Sequence, residues 1–409
     1  MKILHVIPSI SLQRGGPSHA VLNTVRHLRD LGVDSEIVTT DDDGPQKTLD
    51  VPFGELIDYK NVPIRFFKRF SPPVKNVEFN ADKAFLFSSG MTQWLWKNIQ
   101  QYDALETRYL FCYPTSYARF VAQLKNVPYV VHPTGQLTPW ALKQSERKKQ
   151  IYSWLIERRN LKRASAIQCS SDGEANDVRD FGVSTPTFTV PVGVDIPEKI
   201  ADAKAKLHAK YNISLDTTVV LFLSRLHPKK NPELLIHTAK LLSESGKRFH
   251  LLLAGSGEQD YVDGLKKLVD TLGVSHHVSF PGFVEGTEKD LLLQGSDIFS
   301  LPSFSENFGV AVIEAMASAL PVVITPGIQI CHDVIRSNSG LVIEGKVELF
   351  SEAIVKLIES PELRLELGRE GKNLALQKYA WRSIAQQLLS VYDSITQQKT
   401  DTASRKSLQ

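Results

Sequence analysis

Short apolar runs, each the length of one buried strand, alternate along the chain with longer stretches of helical periodicity. In the first half the runs fall at residues 3–8, 36–39, 129–132, 167–169 and 188–190. Between the first two, Val21, Leu22, Val25, Leu28 and Leu31 recur at helical spacing and Gly32 supplies a stop. Residues 41–80 are rich in Asp, Pro and Lys and predict no regular structure. The pattern restarts near Thr218, with strand-like runs at 219–223, 251–254, 278–280, 298–301 and 322–325. Helical stretches at 232–245, 261–272, 287–294 and 308–318 separate them. Strands alternating with helices predict an α/β protein with parallel sheets. The segment 191–217, opening with Pro191-Val192-Gly193-Val194-Asp195, reads as a join. The expectation is two doubly wound domains, 1–197 and 198–380, and a polar, unstructured tail over 397–409.

Composition narrows the class. The chain has 409 residues, 42% hydrophobic and 23% charged, which excludes a mostly disordered chain. Lys and Arg number 48 against 45 Asp and Glu, a balance that argues against a nucleic-acid binder. Cys112, Cys169 and Cys331 are widely spaced, with no C-x-x-C among them, so neither a disulfide framework nor a zinc site is expected. The N-terminal apolar run is short for a signal peptide, and no stretch approaches the ~18 apolar residues of a membrane span. A cytoplasmic protein is the expectation.

Loops at the carboxyl ends of parallel strands are where such sheets bind ligands. The first, ending in Arg14-Gly15-Gly16-Pro17, leads into a helix and reads equally as a plain turn or as a close approach to an anion. Gly255-Ser256-Gly257 follows a strand, but Asp260 stands where a dinucleotide fingerprint needs a third glycine; a tight turn and a phosphate contact remain open. The loop 224–232 is stronger. Arg225, Lys229 and Lys230 follow a strand directly and precede a helix, and a diphosphate needs such charge-assisted donors.

The segment from Pro302 to Ala317 is the most informative. A helix beginning near Asn307 or Phe308 would offer free N–H groups beside Gly309, with Glu306 just before it. Glu314 lies inside that helix in an otherwise apolar run, costly without a partner. Carboxylates at either end of a phosphate seat suit a ligand with hydroxyls at both ends, as in a nucleotide sugar.

Together these residues resemble glycosyltransferase family 4, retaining enzymes of the GT-B fold, in which two Rossmann-like domains face each other across a cleft. The family's E-x7-E motif reads Glu306 to Glu314, its phosphate-binding Arg and Lys fall on Arg225 and Lys230, and its N-terminal glycine loop falls on Gly15-Gly16. Its Ala-Gly-x-Gly turn is Ala254-Gly255-Ser256-Gly257, and its base-binding stretch looks like Pro281-Gly282-Phe283-Val284. The resemblance implies that Glu306 holds donor-sugar hydroxyls beside the N–H groups of Asn307, Phe308 and Gly309. It implies that Glu314 binds the ribose, and that Arg225 and Lys230 neutralise the leaving diphosphate. It implies a reaction needing neither metal nor cofactor, with an acceptor that is a glycan or a lipid-linked sugar. His132, after a first-domain strand, is a candidate for the reaction centre or a structural histidine. The family's last helix crosses back to the first domain, and 381–396 fits that role. One departure is Val192, where the interdomain motif usually has Asn.

Two other readings stand beside this one: a GT-B sugar-nucleotide epimerase or phosphorylase, and a sugar-nucleotide-binding protein without catalysis. Residues 143–163 carry eight basic residues against Glu146 and Glu157, with Tyr152, Trp154, Leu155 and Ile156 in the middle. This stretch reads either as a dock for an anionic membrane surface or as a helix whose Ile151, Leu155 and Ile156 pack on the first domain.

Overall fold

The computed structural model describes residues 1–11, 16–44, 47–70 and 85–407, with side chains described through residue 397. The chain divides into two compact units, Met1–Gly193 with Trp381–Gln409, and Val194–Ala380.

The first unit holds an eight-stranded sheet among the described residues. Its strands are β1 (Lys2–Val6), β2 (Asp34–Thr40), β3 (Leu56–Tyr59), β4 (Val62–Phe67), β5 (Ala104–Arg108), β6 (Tyr129–His132), β7 (Ala166–Cys169) and β8 (Thr187–Thr189). They lie in the order β3-β4-β2-β1-β5-β6-β7-β8. All neighbours are parallel except β3 and β4. Side chains alternate between the two faces of a strand, and both faces here are covered. Leu4, Leu105 and Val131 pack with Met91 and Leu95 of helix Ser89–Asn98 and with Ala118 and Val121 of helix Tyr113–Leu124. Ile3, Ala104 and Val130 pack on the other side with Trp381, Ile384, Leu388 and Tyr392 of the last helix, Trp381–Ser407.

The structure corrects the reading of this half in three places. Residues 41–80 contain β3 and β4, joined by Lys60 and Asn61 at φ 55° and 62°, a tight reversal in which Asn is at home. Pro63 and Arg65 obscured the alternation of β4, whose Val62, Ile64 and Phe66 are buried. The polar sequence of β5 hid a central strand: Glu106 and Arg108 are both buried and bond to each other, Arg108 Nε donating to Glu106 Oε1 at 2.7 Å. Glu106 also accepts from Tyr392 of the last helix and lies 3.4 Å from His5 Nδ1. Finally, the helix that was expected to end near residue 396 continues to Ser407. Residues 381–407 contain no Gly or Pro to stop it.

The second unit holds a six-stranded, wholly parallel sheet among its described residues: β9 (Thr218–Leu223), β10 (Phe249–Ala254), β11 (Val278–Gly282), β12 (Ile298–Leu301), β13 (Val322–Ile324) and β14 (Gly340–Val342). The order is β11-β10-β9-β12-β13-β14. Winding therefore reverses between β9 and β12, the place where open α/β sheets leave room for a ligand. Five of the six strands fall on the apolar runs of the sequence; the edge strand β14, only three residues long, gave no run. Intervening helices include Pro232–Glu244, Gln259–Thr271, Gly286–Gly295 and Val310–Ala317.

One buried ion pair ties the surface of the first unit to its sheet. Arg119 Nη1 donates to Glu157 Oε2 at 2.8 Å and Arg119 Nε to Thr107 Oγ1 at 2.8 Å. Glu157 Oε1 accepts from Phe111 N at 2.9 Å and Ser116 Oγ at 2.8 Å. Both charges are fully buried. Removing one partner strands the other, so Arg119→Met is expected to destabilise the first unit by about 3–5 kcal/mol. Urea unfolding followed by tryptophan fluorescence measures this, and a variant melting like the wild type would contradict it.

Candidate active site

The loops leaving β9 and β12 bring the sequence's strongest candidates together. Lys230 Nζ bonds to Glu306 Oε1, and both side chains are largely buried. Ser303 Oγ lies 2.9 Å from Glu306 Oε1 and 3.0 Å from the Lys229 carbonyl oxygen, its single proton shared between these two acceptors. Phe304 N donates to that same carbonyl at 3.0 Å, so the two loops are stitched along their backbones. On its other side Glu306 N donates to Gly327 O at 2.9 Å, and Gln329 N to Glu306 O at 3.2 Å. The Glu306 carboxylate is thus held by Lys230 and Ser303, and its backbone by the loop after β13.

The cationic loop concentrates positive charge. Arg225 is exposed, and Lys229 and Lys230 are half-buried. Burial, and then the charges of Arg225, Lys230 and Lys229, push the His227 imidazole below its ordinary value. Burial also holds the Lys229 ammonium down, with the Glu306 carboxylate opposing and the other two cations adding. A loop that resists further positive charge in this way favours an anion.

Gly255 and Gly257 have a packing reason for being glycine. Gly255 sits at φ +147°, and a Cβ there would lie 1.8 Å from the Ser224 carbonyl oxygen; one on Gly257 would lie 2.3 Å from the Leu226 carbonyl oxygen. The loop after β10 therefore lies directly against the cationic loop, with Leu226 N donating to Ser256 O at 2.8 Å. Of the neighbouring base-binding candidates, Phe283 is 47% exposed and Val284 is buried.

The helix carrying Glu314 begins later than expected, at Val310. Gly309, at φ +89°, forms its N-cap, which leaves Asn307 and Phe308 in the loop. A left-handed residue there ends the loop abruptly, and Gly alone adopts it without strain. Glu314, half-buried, has the partner its position demands: Lys289 Nζ donates to Glu314 Oε1 at 2.7 Å. Burial works against the Lys289 charge, but the Glu314 carboxylate outweighs it and holds the ammonium above its ordinary value.

In the first unit His132 ends β6 and is 2% exposed. Its Nε2 lies 2.9 Å from Ser170 Oγ, while Nδ1 has no hydrogen-bond partner. Burial, reinforced by Arg108, lowers its pKa to about 3, so the ring is neutral at physiological pH. Gly16 opens helix Gly16–Asp30; Gly15 lies outside the described residues. A cavity of about 680 Å³ lies beyond the carboxyl ends of β2 and β4, lined in part by Asp41, Asp50, Lys68, Arg69, Phe53 and Phe70. Sequence reasoning missed this cavity, as it missed Ser303 and Lys289. Ser303 stands three residues before its glutamate, a legible spacing, whereas Lys289 is separated from Glu314 by a whole strand and left no local signal.

A doubly wound unit with a cationic loop and two anchored carboxylates at its switch point defines a protein that handles an anionic, hydroxyl-bearing ligand. Comparison with known proteins identifies the class. Residues 203–374 match the family model "Glycosyl transferases group 1", and residues 15–193 match "Glycosyl transferase 4-like domain". The D-inositol 3-phosphate glycosyltransferase of Corynebacterium aurimucosum is 25% identical over 96% of this chain and 94% of its own. The GDP-mannose-dependent alpha-(1-6)-phosphatidylinositol monomannoside mannosyltransferase of Mycolicibacterium smegmatis is 28% identical over 50% of this chain and 55% of its own. Among solved structures, HepE of Anabaena in complex with UDP and glucose superposes with a TM-score of 0.76 at 21% identity, covering 96% of this chain and 100% of that one. Sucrose-phosphate synthase from Thermosynechococcus elongatus gives 0.76 at 19% identity, covering 97% and 99%. The chain belongs to the family 4 type of GT-B glycosyltransferases.

Two glycine substitutions separate the packing of the site from helix propensity. Gly255→Ala is expected to destabilise the second unit by about 1–3 kcal/mol and to weaken nucleotide binding, because the cationic loop must move. Gly264→Ala, inside helix Gln259–Thr271 with nothing within 4 Å of its would-be Cβ, is expected to stabilise by about 0.5–1 kcal/mol. Thermal melts with and without a nucleoside diphosphate test both.

Proposed function

We propose that the protein is a retaining, metal-independent hexosyltransferase. It moves a sugar from a nucleotide-diphosphate sugar to a glycan or lipid-linked acceptor, in exopolysaccharide or cell-envelope glycan synthesis. The observation that carries the reading is the Lys230–Glu306 pair beside Arg225 at the β9/β12 switch point. The UDP and glucose bound by HepE and the GDP-mannose dependence of the mycobacterial relative support a nucleotide-sugar donor.

Each residue then has a role. Arg225 and Lys230 take the diphosphate. An ammonium has three donors, so Lys230 can keep Glu306 while bonding a phosphate oxygen. Glu306, fixed by Ser303 and Lys230, accepts from hydroxyls of the donor sugar. The N–H groups of Asn307, Phe308 and Gly309 lie beside it. Lys289 orients Glu314 toward the ribose, Phe283 and Val284 flank the base, and Gly255 and Gly257 keep the loop close to the phosphates. His132 offers a neutral ring with a buried nitrogen that lacks a partner; a sugar hydroxyl bonded there would relieve a cost of about 1–3 kcal/mol. The family resemblance also assigns Gly15 and Gly16 to donor binding.

The reaction is a front-side displacement. The bond from the anomeric carbon to the diphosphate breaks, the bond to the acceptor oxygen forms on the same face, and the acceptor proton passes to the departing phosphate oxygen. Neither a metal nor a resident cofactor takes part. The enzyme acts in the cytoplasm, peripherally at the cytoplasmic face of the membrane when its acceptor is lipid-linked.

Arg225→Ala and Lys230→Ala are each expected to lower turnover by about 10²–10³, the usual loss when a preorganised electrostatic group is removed. Hydrolysis or transfer of UDP-glucose and GDP-mannose measures this, and two variants with wild-type turnover would refute the site. NMR of the fresh product should show a retained anomer formed equally in EDTA; inversion refutes the front-side route, and inhibition by EDTA refutes metal independence.

A further inference from the structure

The basic stretch is not one helix packed on the first unit. It comprises helix Pro139–Lys143, helix Glu146–Tyr152, a π-helical turn Ser153–Glu157 and helix Arg158–Lys162, with Ser145 at φ 55° between the first two. Two of the three apolar residues that the packed-helix reading puts against the domain face solvent: Ile151 is 62% exposed and Leu155 58%. Trp154 is 77% exposed and Trp140 41%. Lys143, Arg147, Lys148, Arg158, Arg159, Lys162 and Arg163 are exposed along the same stretch.

The charge of this surface is more one-sided than its sequence. Of the two acids in 143–163, Glu157 is fully buried with Arg119, and Glu146 alone reaches solvent. The exposed face is also firmly rooted. Asn160 and Leu161 are buried, Tyr152 OH donates to Ser116 Oγ at 3.0 Å, and Lys149 turns inward, 5.4 Å from the Phe111 ring centre. Exposed tryptophan and leucine held on such a rigid base are not the product of a loose helix.

We propose that this face docks the enzyme on an anionic lipid bilayer, with Ile151, Trp154 and Leu155 entering the boundary between headgroups and acyl chains and the surrounding cations pairing with lipid phosphates. The proposal rests on the peripheral-membrane part of the reading above and not on its donor chemistry. Charge complementarity selects the occupant. The cores of protein–protein interfaces are depleted in charge, whereas here seven exposed cations share one short segment with the exposed apolar residues. Tryptophan at the water boundary and long basic side chains that bury their stems while their heads reach phosphate are the composition of an interfacial segment. The buried root of the face also includes Glu157, whose other oxygen holds Phe111 N in the loop that follows β5. Docking would therefore load the platform on which that loop is built.

The test is co-sedimentation of the full chain with phosphatidylcholine vesicles, with and without phosphatidylglycerol, at low and high salt. Wild-type protein is expected to pellet only with the anionic vesicles and to be released by salt, with a blue shift of tryptophan emission on binding. Each exposed cation is worth about fivefold in affinity, so Lys148→Glu with Arg159→Glu should weaken binding at least twenty-five-fold. Trp154→Ser with Leu155→Ser should abolish the blue shift and weaken binding while leaving hydrolysis of soluble UDP-glucose or GDP-mannose at the wild-type rate. Wild-type protein remaining in the supernatant at low salt, or binding neutral vesicles equally well, overturns the proposal. So does a concentration-dependent dimer that Trp154→Ser disperses, which would make the face a protein interface. Loss of donor hydrolysis without vesicles counts against the donor reading and leaves the docking result intact.

Discussion

An ammonium and a carboxylate meet where the second sheet changes its direction of winding, and much of that unit is arranged so that they can. Lys230 and Glu306 are far apart in the chain but leave neighbouring strands at the same end of the sheet. Their meeting requires the loop after β9 to lie flat against the loop after β10, which Gly255 permits by lacking a Cβ. It requires the loop after β12 to be closed off before its helix starts, which Gly309 achieves in the left-handed region. It also requires a third loop to hold the Glu306 backbone. Gly327 supplies the carbonyl, and a Cβ there would strike the Phe304 carbonyl oxygen at 2.3 Å. Three glycines thus serve one ion pair.

The same site stores electrostatic tension. Arg225, Lys229 and Lys230 crowd around His227, and Lys230 is paired with Glu306. Like charges assembled before a ligand arrives raise the energy of the empty protein, and an arriving diphosphate recovers it. Glu314 is held in the same way, by the Lys289 ammonium at 2.7 Å. Each carboxylate thus has one lysine, but Glu306 lies beside a loop with two further cations, and in the proposed function this difference suits the two ends of a nucleotide sugar.

How much of this was legible depended on where polar residues fell. Strands β9, β10 and β12 are buried throughout, so their apolar runs announced them. Strand β5 is just as central, but its Glu106 and Arg108 satisfy each other, and a buried ion pair reads as surface in a sequence. Arg225, Lys229, Lys230 and Glu306 were legible because they stand in loops directly after strands, where α/β sheets bind ligands, and Glu314 because it interrupts an apolar run. Their partners were not: the link from Lys289 to Glu314 exists only in three dimensions. The basic stretch shows the converse. Its charge was plain, yet that Ile151 and Leu155 are exposed, and that Glu157 is removed from the surface, is visible only in the folded chain.

The last helix leaves a trace in how the molecule is made. Trp381, Ile384, Leu388 and Tyr392 complete a layer of core whose members outside that helix, Ile3, Leu28 and Ala104 among them, come from the first 190 residues of the chain. Synthesis runs from the N-terminus and domains generally fold as units. The whole of Val194–Ala380 therefore emerges from the ribosome before the first unit can cover that side of its sheet. The unit begun first is finished last, and until then Glu106 waits in the nascent protein without the phenol of Tyr392.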